Sequence, residues 1–395
     1  PAWGRGGRCP AVPAGRDGVA SPDATSLGPA RPLTPSRVRI LFSVPRYHPN
    51  HDGLVAGLQA AGHELHFLVR AGHPTEFHRP GVAVTLLPGW DIGDNLRRPP
   101  PVRALARILA AVRPDVVVAR NPSRTSLALH ALCRLRGLPF LLYIQRRTGC
   151  ETMGPGRRLL LRLGLWPAHT VNAICPDPPP PPPGKTCDFL PFAVEPGPVR
   201  TEWAARPPLA VLAVGKLDQA RKNHLPLVRH LAPLLRGGDI RLTLLGLREE
   251  GTSPVFAALT DEIAAQGVAE RVRIRANLDY AASRRLYAEH DLLVLASSAE
   301  RAAVSPMEAL AAGIPVICGS DNGTNFVVRE GETGFVFPDG DFPAMAARVA
   351  DLVADPAAAA RMGCAGRRLI ETDFSPAAAA RRFETILARH FPQLR

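Results

Sequence analysis

Residues 291–317 read DLLVLASSAERAAVSPMEALAAGIPVI. The run LLVLAS has the continuous apolar character of a strand covered on both faces. A polar stretch follows, then a short helix that ends at Gly313 before Pro315, and PVICG opens the next strand. Strand, helix and strand at this spacing make a parallel βαβ unit. The same stretch holds Glu300 and Glu308, separated by seven residues. Ser305-Pro306-Met307-Glu308 also fits a capping box, with Ser at N-cap, Pro at N1 and Glu at N3. Glu308 therefore has two readings, a helix cap or a carboxylate free for other chemistry.

Outward from this unit the pattern repeats. LAVLAVG, IRLTLLG and VRIRANL are strands before it with helices between, and the last helices run from about 342 to 392. An earlier series holds VRILFSV at 38–44, a helix at 52–61 closed by Gly62, HELHFLV at 63–69 and VAVTLLP. After the polar loop with RRPPP at 97–101 come the helix VRALARILAAV, the strand DVVVAR at 115–120, a helix from Ser123 to Arg136, PFLLYIQ at 139–145 and TVNAIC at 170–175. PDPPPPPPG then forms a stiff polyproline II spacer on the surface of the first domain. The expected class is α/β, with two Rossmann-like doubly wound domains facing a central cleft. Their spans are 37–195 and 209–375, joined by a linker at 196–208, with 376–395 a terminal helix able to pack back on the first domain. A ligand belongs in the cleft, at the carboxyl ends of the strands.

The 395 residues suit two domains. No apolar run reaches the 18 or more residues of a membrane span. Residues 1–36 are rich in Pro, Gly and Arg, lack an apolar signal core, and are expected to be a disordered or non-native tail. The seven cysteines are scattered without a CxxC pair, which argues against a zinc site or disulfide framework and for reduced thiols in a cytoplasmic protein. Net charge is +13, of which about +10 lies in 37–195 and about +1 after it. A basic half fits an anionic partner: nucleic acid, an anionic membrane surface or a phosphorylated acceptor. It also fits an Arg-rich solvated face.

E-x7-E, followed by EALAAGIPVICGSDNG and EGETGFVFPDGD, resembles the donor-binding half of glycosyltransferase family 4. VGKLDQARKNH, with Lys216 and Lys222, is similar to the family's G-[RK]-L segment and its second Lys. The resemblance covers 209–340 and implies a GT-B fold and a nucleotide-diphosphate sugar as donor. It implies that Lys216 and Lys222 clamp the diphosphate and stabilise the leaving group, where charge develops as the bond breaks. It further implies that Glu308 binds the ribose and that Glu300 approaches the donor sugar and the reacting carbon. The amides of Ala302, Ala303 and Val304, with Ser305 at the helix start, are expected to touch sugar and phosphate.

In the first half the likeness is looser. PRYHPNHDG stands where the family has a Gly-rich loop, with His48, Asn50 and His51, and Arg120-Asn121 and Gln145 stand where it often has His. All follow strand carboxyl ends. Arg120, Arg124, Arg146 and Arg147 are placed to face the cleft. Arg157, Arg158 and Arg162 lie in PGRRLLLRLGLW, which reads either as a packed helix or as a membrane-surface segment. Asp339-Gly340-Asp341 is a D-x-D, but Asp341 reads as a helix N-cap, so no metal is expected.

The resemblance therefore implies a retaining, metal-independent transferase that uses no cofactor. It moves sugar from a nucleotide-diphosphate sugar to a hydroxyl acceptor in cell-surface polysaccharide or glycolipid synthesis. The acceptor is expected to be anionic and the protein cytoplasmic, peripheral at the inner face of a membrane. Rival readings are a nucleotide-sugar epimerase of the same fold and a basic nucleic-acid-binding protein, though the chain has no zinc finger and few aromatic residues for base stacking.

Overall fold

The computed structural model describes residues 37–70, 79–87, 100–145, 155–178, 180–200 and 207–394. The tail 1–36, Arg146 and Arg147, and 201–206 of the expected linker lie outside the described residues.

The first unit runs β1 (Arg39–Val44), α1 (Asp52–Ala60), β2 (Glu64–Val69), β3 (Ala83–Leu86), α2 (Val102–Val112), β4 (Val116–Arg120), α3 (Arg124–Leu135), β5 (Phe140–Ile144), α4 (Pro155–Arg162), β6 (His169–Asn172) and β7 (Thr186–Phe189). Its seven strands pair in the order β3-β2-β1-β4-β5-β6-β7, all parallel. The second runs β8 (Leu209–Val214), α5 (His224–Gly237), β9 (Ile240–Gly246), α6 (Pro254–Ala265), β10 (Val272–Ala276), α7 (Tyr280–Ala288), β11 (Leu292–Leu295), α8 (Ser305–Ala311), β12 (Val316–Gly319), β13 (Gly334–Phe337), α9 (Phe342–Ala354), α10 (Pro356–Asp373) and α11 (Pro376–His390). Its strand order is β10-β9-β8-β11-β12-β13, again parallel.

The strands read as unbroken apolar runs because both sheet faces are covered. On β1, Ile40, Phe42 and Val44 join one core while Leu41 joins another on the opposite face. On β4, Val116 and Val118 divide in the same way from Val117 and Ala119. The larger core crosses between the units, with Phe42 and Tyr143 of the first in one cluster with Leu295 and Met307 of the second. The chain end strengthens this junction. Glu384 of α11 meets His63 at 3.2 Å, and Asp188 of β7 holds Arg389 at 2.6 Å and His390 at 2.7 Å.

One sequence expectation needs correction. Cys364 is disulfide-bonded, so the thiols are not all reduced; spacing rules find local cysteine pairs and miss those that only tertiary structure assembles. The Leu-rich helix α4 packs Leu160 and Leu161 against the first unit's core, while Leu159 and, after the helix, Leu163 and Leu165 remain exposed, as do Arg158 and Arg162.

Candidate active site

The carboxyl end of β8 delivers Gly215, and the chain then turns through Lys216 to Lys222. Asn223 ends this turn in a left-handed conformation, φ 54°. Its side-chain amide donates to the Ala296 carbonyl and to Ser298 Oγ, both at 2.9 Å, while the Ser298 amide donates to the Arg221 carbonyl at 2.9 Å. These bonds join the loop after β8 to the loop after β11. Arg221 and Lys222 are thereby brought onto Glu300, with Lys222 ion-paired to its Oε2 and Arg221 at 3.2 Å from the same oxygen. Gly215 makes room, because a Cβ there would sit 2.9 Å from Cδ of Lys222. Burial draws the Lys222 pKa down, Glu300 opposes it, and Arg221 and Lys216 add to the depression. Lys216 itself is more exposed and pairs with Glu249 at 3.6 Å.

The helix-cap reading of Glu308 fails. Val304 is the N-cap of α8, and no side chain caps it. The Glu308 carboxylate turns instead to α7, where it accepts from Tyr280 at 3.0 Å and from Tyr287 at 2.8 Å. Arg284 of the same helix stands 3.8 Å away and also donates to the Glu195 carbonyl in the segment between the units, at 2.5 Å. Burial, then Glu308, raises both tyrosine pKa values, so the phenols stay protonated donors.

Between the two glutamates, the amides of Ala302, Ala303 and Val304 donate to no protein acceptor among the described residues. The Ala303 carbonyl accepts from Thr324 Oγ1 at 2.7 Å, and the Glu300 carbonyl from the Gly323 amide at 2.8 Å. Gly323 is sterically required, since a Cβ would fall 1.9 Å from the Arg301 oxygen and 3.0 Å from Cδ1 of Ile174. Ile174 follows β6, so loops at the carboxyl ends of both sheets meet here. Ala299 takes the left-handed conformation, φ 52°, with its amide on Asp321 at 2.8 Å, which aims Glu300.

In the first unit, His48 caps the turn at 49–51 by accepting from the Asn50 amide at 3.2 Å. His51 is buried, and Arg120 approaches its ring nitrogen at 3.5 Å. Asn121, φ 57°, accepts from the Gln145 amide at 3.0 Å, linking the ends of β4 and β5. Arg124 is exposed at the start of α3. Asp341 caps α9 through the Ala344 amide at 2.9 Å, and the Asp339 amide donates to Ser320 Oγ at 3.1 Å. A cavity of about 360 Å³ bounded by Pro208, Arg241, Arg271 and His290 lies at the amino ends of the second sheet's strands, the end opposite Glu300.

The description "Glycosyl transferases group 1" matches residues 202–369, and "Glycosyl transferase 4-like domain" matches residues 52–177. The chain belongs to glycosyltransferase family 4. This family 4 chain is 31% identical over 172 residues to a glycogen synthase of Mycobacterium tuberculosis, a match spanning 42% of the chain and 39% of that protein. It is 35% identical over 105 residues to a D-inositol 3-phosphate glycosyltransferase of Streptomyces avermitilis, 27% of the chain and 23% of that protein. The matches thus span well under half the length of these curated relatives. In fold it is similar to sucrose-phosphate synthase of Thermosynechococcus elongatus, with TM-score 0.70, 18% identity, and 90% and 100% of the two chains covered. It is also similar to Anabaena HepE solved with UDP-glucose, with TM-score 0.68, 15% identity, and 89% and 100% covered. Both likenesses bear out the GT-B architecture of two parallel-sheet units.

Within this family 4 site, the sequence pattern missed Arg221, Tyr280, Tyr287 and Thr324. Arg221 lay inside the motif as quoted, beside Lys222. The tyrosines, on a helix before the E-x7-E segment, carried no local signal.

Proposed function

We propose that this chain transfers a sugar from a nucleotide-diphosphate sugar to a hydroxyl acceptor, with retention of configuration and with neither metal nor cofactor. The observation that carries the reading is the convergence of Lys222 and Arg221 on Glu300. Cations there stabilise the charge that develops on the departing diphosphate, and Glu300 holds the donor sugar beside the reacting carbon. The bond from that carbon to the phosphate oxygen breaks, and its bond to the acceptor oxygen forms on the same face. The acceptor's proton passes to the leaving phosphate oxygen, so no protein base is needed. Glu308 receives the ribose hydroxyls. The HepE complex with UDP-glucose supports this class of donor.

The acceptor side is read as serving cell-surface polysaccharide or glycolipid synthesis, with peripheral contact at the inner face of a membrane. Supporting it, α4 and the residues after it expose Leu159, Leu163 and Leu165 alongside Arg158 and Arg162. Among the described residues no helix is long and apolar enough to cross a membrane.

Calorimetry against UDP-, GDP-, ADP- and TDP-sugars tests the proposal. A bound donor at 100 times its dissociation constant stabilises the protein by about 2.7 kcal/mol. Glu308→Ala and Lys222→Ala are expected to weaken that binding. Unchanged affinity in both folded variants sinks the site, and donor turnover with no acceptor present points to an epimerase instead.

A further inference from the structure

We infer that Arg46 and Arg120 form a subsite for a phosphate group on the acceptor. The inference rests on the transferase reading of the cleft and names the acceptor's chemical class.

The sheet order sets β2, β1 and β4 side by side. Each is followed or ended by an arginine at its carboxyl end: Arg70 directly after β2, Arg46 two residues after β1, and Arg120 as the last residue of β4. Adjacent parallel strands therefore converge three cations on one edge of the sheet. Arg120 feels the field of the other two. The Arg120 pKa is pulled down to about 10, chiefly by burial; Tyr143 opposes the fall, and Arg46 and Arg70 add to it. His48 feels the same field, down to about 4 through burial, Arg46 and Arg120. Burial, Arg120 and His48 keep the His51 ring neutral.

For Arg46 and Arg120 no described carboxylate answers this charge. Among the described residues neither Arg46 nor Arg120 makes an ion pair. The acids close by are already engaged, Asp52 by Arg79 at 3.0 and 2.8 Å and Glu195 by the same guanidinium at 2.8 Å. Nε of Arg120 is buried and donates to nothing. A desolvated guanidinium beside two like charges is unfavourable unless an anion completes it. The second unit differs, for there Arg221 and Lys222 both have Glu300. Nη1 of Arg120 faces His51 at 3.5 Å, and a phosphate group suits the rest of the fork because it accepts two parallel N–H bonds from an Arg and balances more than one cation. The subsite lies at the carboxyl end of its sheet, and on that same edge the loop after β6 touches the Glu300–Gly323 loop through Ile174. A phosphorylated acceptor anchored there reaches the donor site.

The test titrates inorganic phosphate into the full chain while saturating nucleoside diphosphate occupies the donor site. Wild type is expected to bind phosphate saturably. Arg120→Gln and Arg46→Gln are each expected to weaken it by at least about tenfold while keeping nucleoside diphosphate affinity. Arg46 is only half-buried, so its variant serves if Arg120→Gln fails to fold. In turnover, a hexose monophosphate or phosphatidylinositol vesicles should outperform the neutral hexose and phosphatidylcholine vesicles. The better of the two phosphorylated acceptors tells a soluble source from a lipid one. Phosphate binding indifferent to both substitutions, or equal use of the neutral hexose, overturns the inference and leaves the transferase reading standing. Absence of any nucleoside diphosphate binding in wild type defeats the transferase reading instead, and the phosphate titration repeated without nucleotide still decides the subsite.

Discussion

The phenolic hydroxyl of Tyr287 donates to Oε2 of Glu308 at 2.8 Å, and Tyr280 matches it on Oε1 at 3.0 Å. Two donors on one helix fix both oxygens of a carboxylate on another. Bonds to charged groups contribute about 1.5–3 kcal/mol. Tyr287→Phe is therefore expected to lower nucleotide affinity by about tenfold and to shrink wild-type discrimination against a 2′-deoxynucleotide. Calorimetry with both nucleotides checks this, and a folded Tyr287→Phe protein that discriminates as wild type does would remove Tyr287 from the ribose site.

Glu300 sustains the charge on Lys222, whose pKa burial otherwise lowers. Only the protonated amine holds a diphosphate. Nucleotide affinity should thus fall as pH rises through the Lys222 pKa. Glu300→Gln removes the opposing influence, so the fall is expected to begin at lower pH than in wild type. Affinity measured across an alkaline pH series decides, and a fall at the same or higher pH contradicts the pairing.

Asp291 is 1% exposed and accepts from Arg200 at 2.6 Å and from the Ala210 amide at 2.8 Å. It ties the segment before β8 to the start of β11. Asp291→Ala leaves Arg200 without its carboxylate, with only the Ala288 carbonyl at 3.4 Å, and is expected to cost about 3–5 kcal/mol. Urea unfolding measures this, and a loss under about 1 kcal/mol would place the pair in the weak surface class.

Turnover is expected to survive excess EDTA. Asp341 is committed to capping α9, and among the described residues no three His, Cys, Asp or Glu side chains converge to hold a metal. Activity abolished by chelation and restored by Mn²⁺ or Mg²⁺ would show a metal role for Asp339 and Asp341.

Much of the scaffold was legible in the chain. β1, β4, β8 and β11 are uninterrupted apolar runs, and helical stretches separate them. β7 was missed because TCDF, with half-buried polar residues, carries no such run. Glu300 and Glu308 stood out through their spacing, whereas Arg221 acquires its role only beside Glu300, 79 residues away in sequence. The basic first half was also visible as composition. Which of its arginines lack acids was not: Arg79 and Arg120 look alike in sequence, yet Arg79 has Asp52 and Glu195 while Arg120 has neither.

By itself the sequence determined the two doubly wound units, since burial on both faces dictates residue type along every central strand. It also determined which loops carry the chemistry, since loops at strand carboxyl ends open into the cleft. Tertiary structure alone decided what Glu308 does. A capping box is a contest between near neighbours, and local sequence could name only those contestants. Tyr280 and Tyr287 come from another helix, and their hydroxyls engage the carboxylate in a partly desolvated site where such bonds are strong. The same holds for Lys222 and Arg120. Whether a buried cation is paired or left awaiting an anion depends on which strands the fold sets side by side.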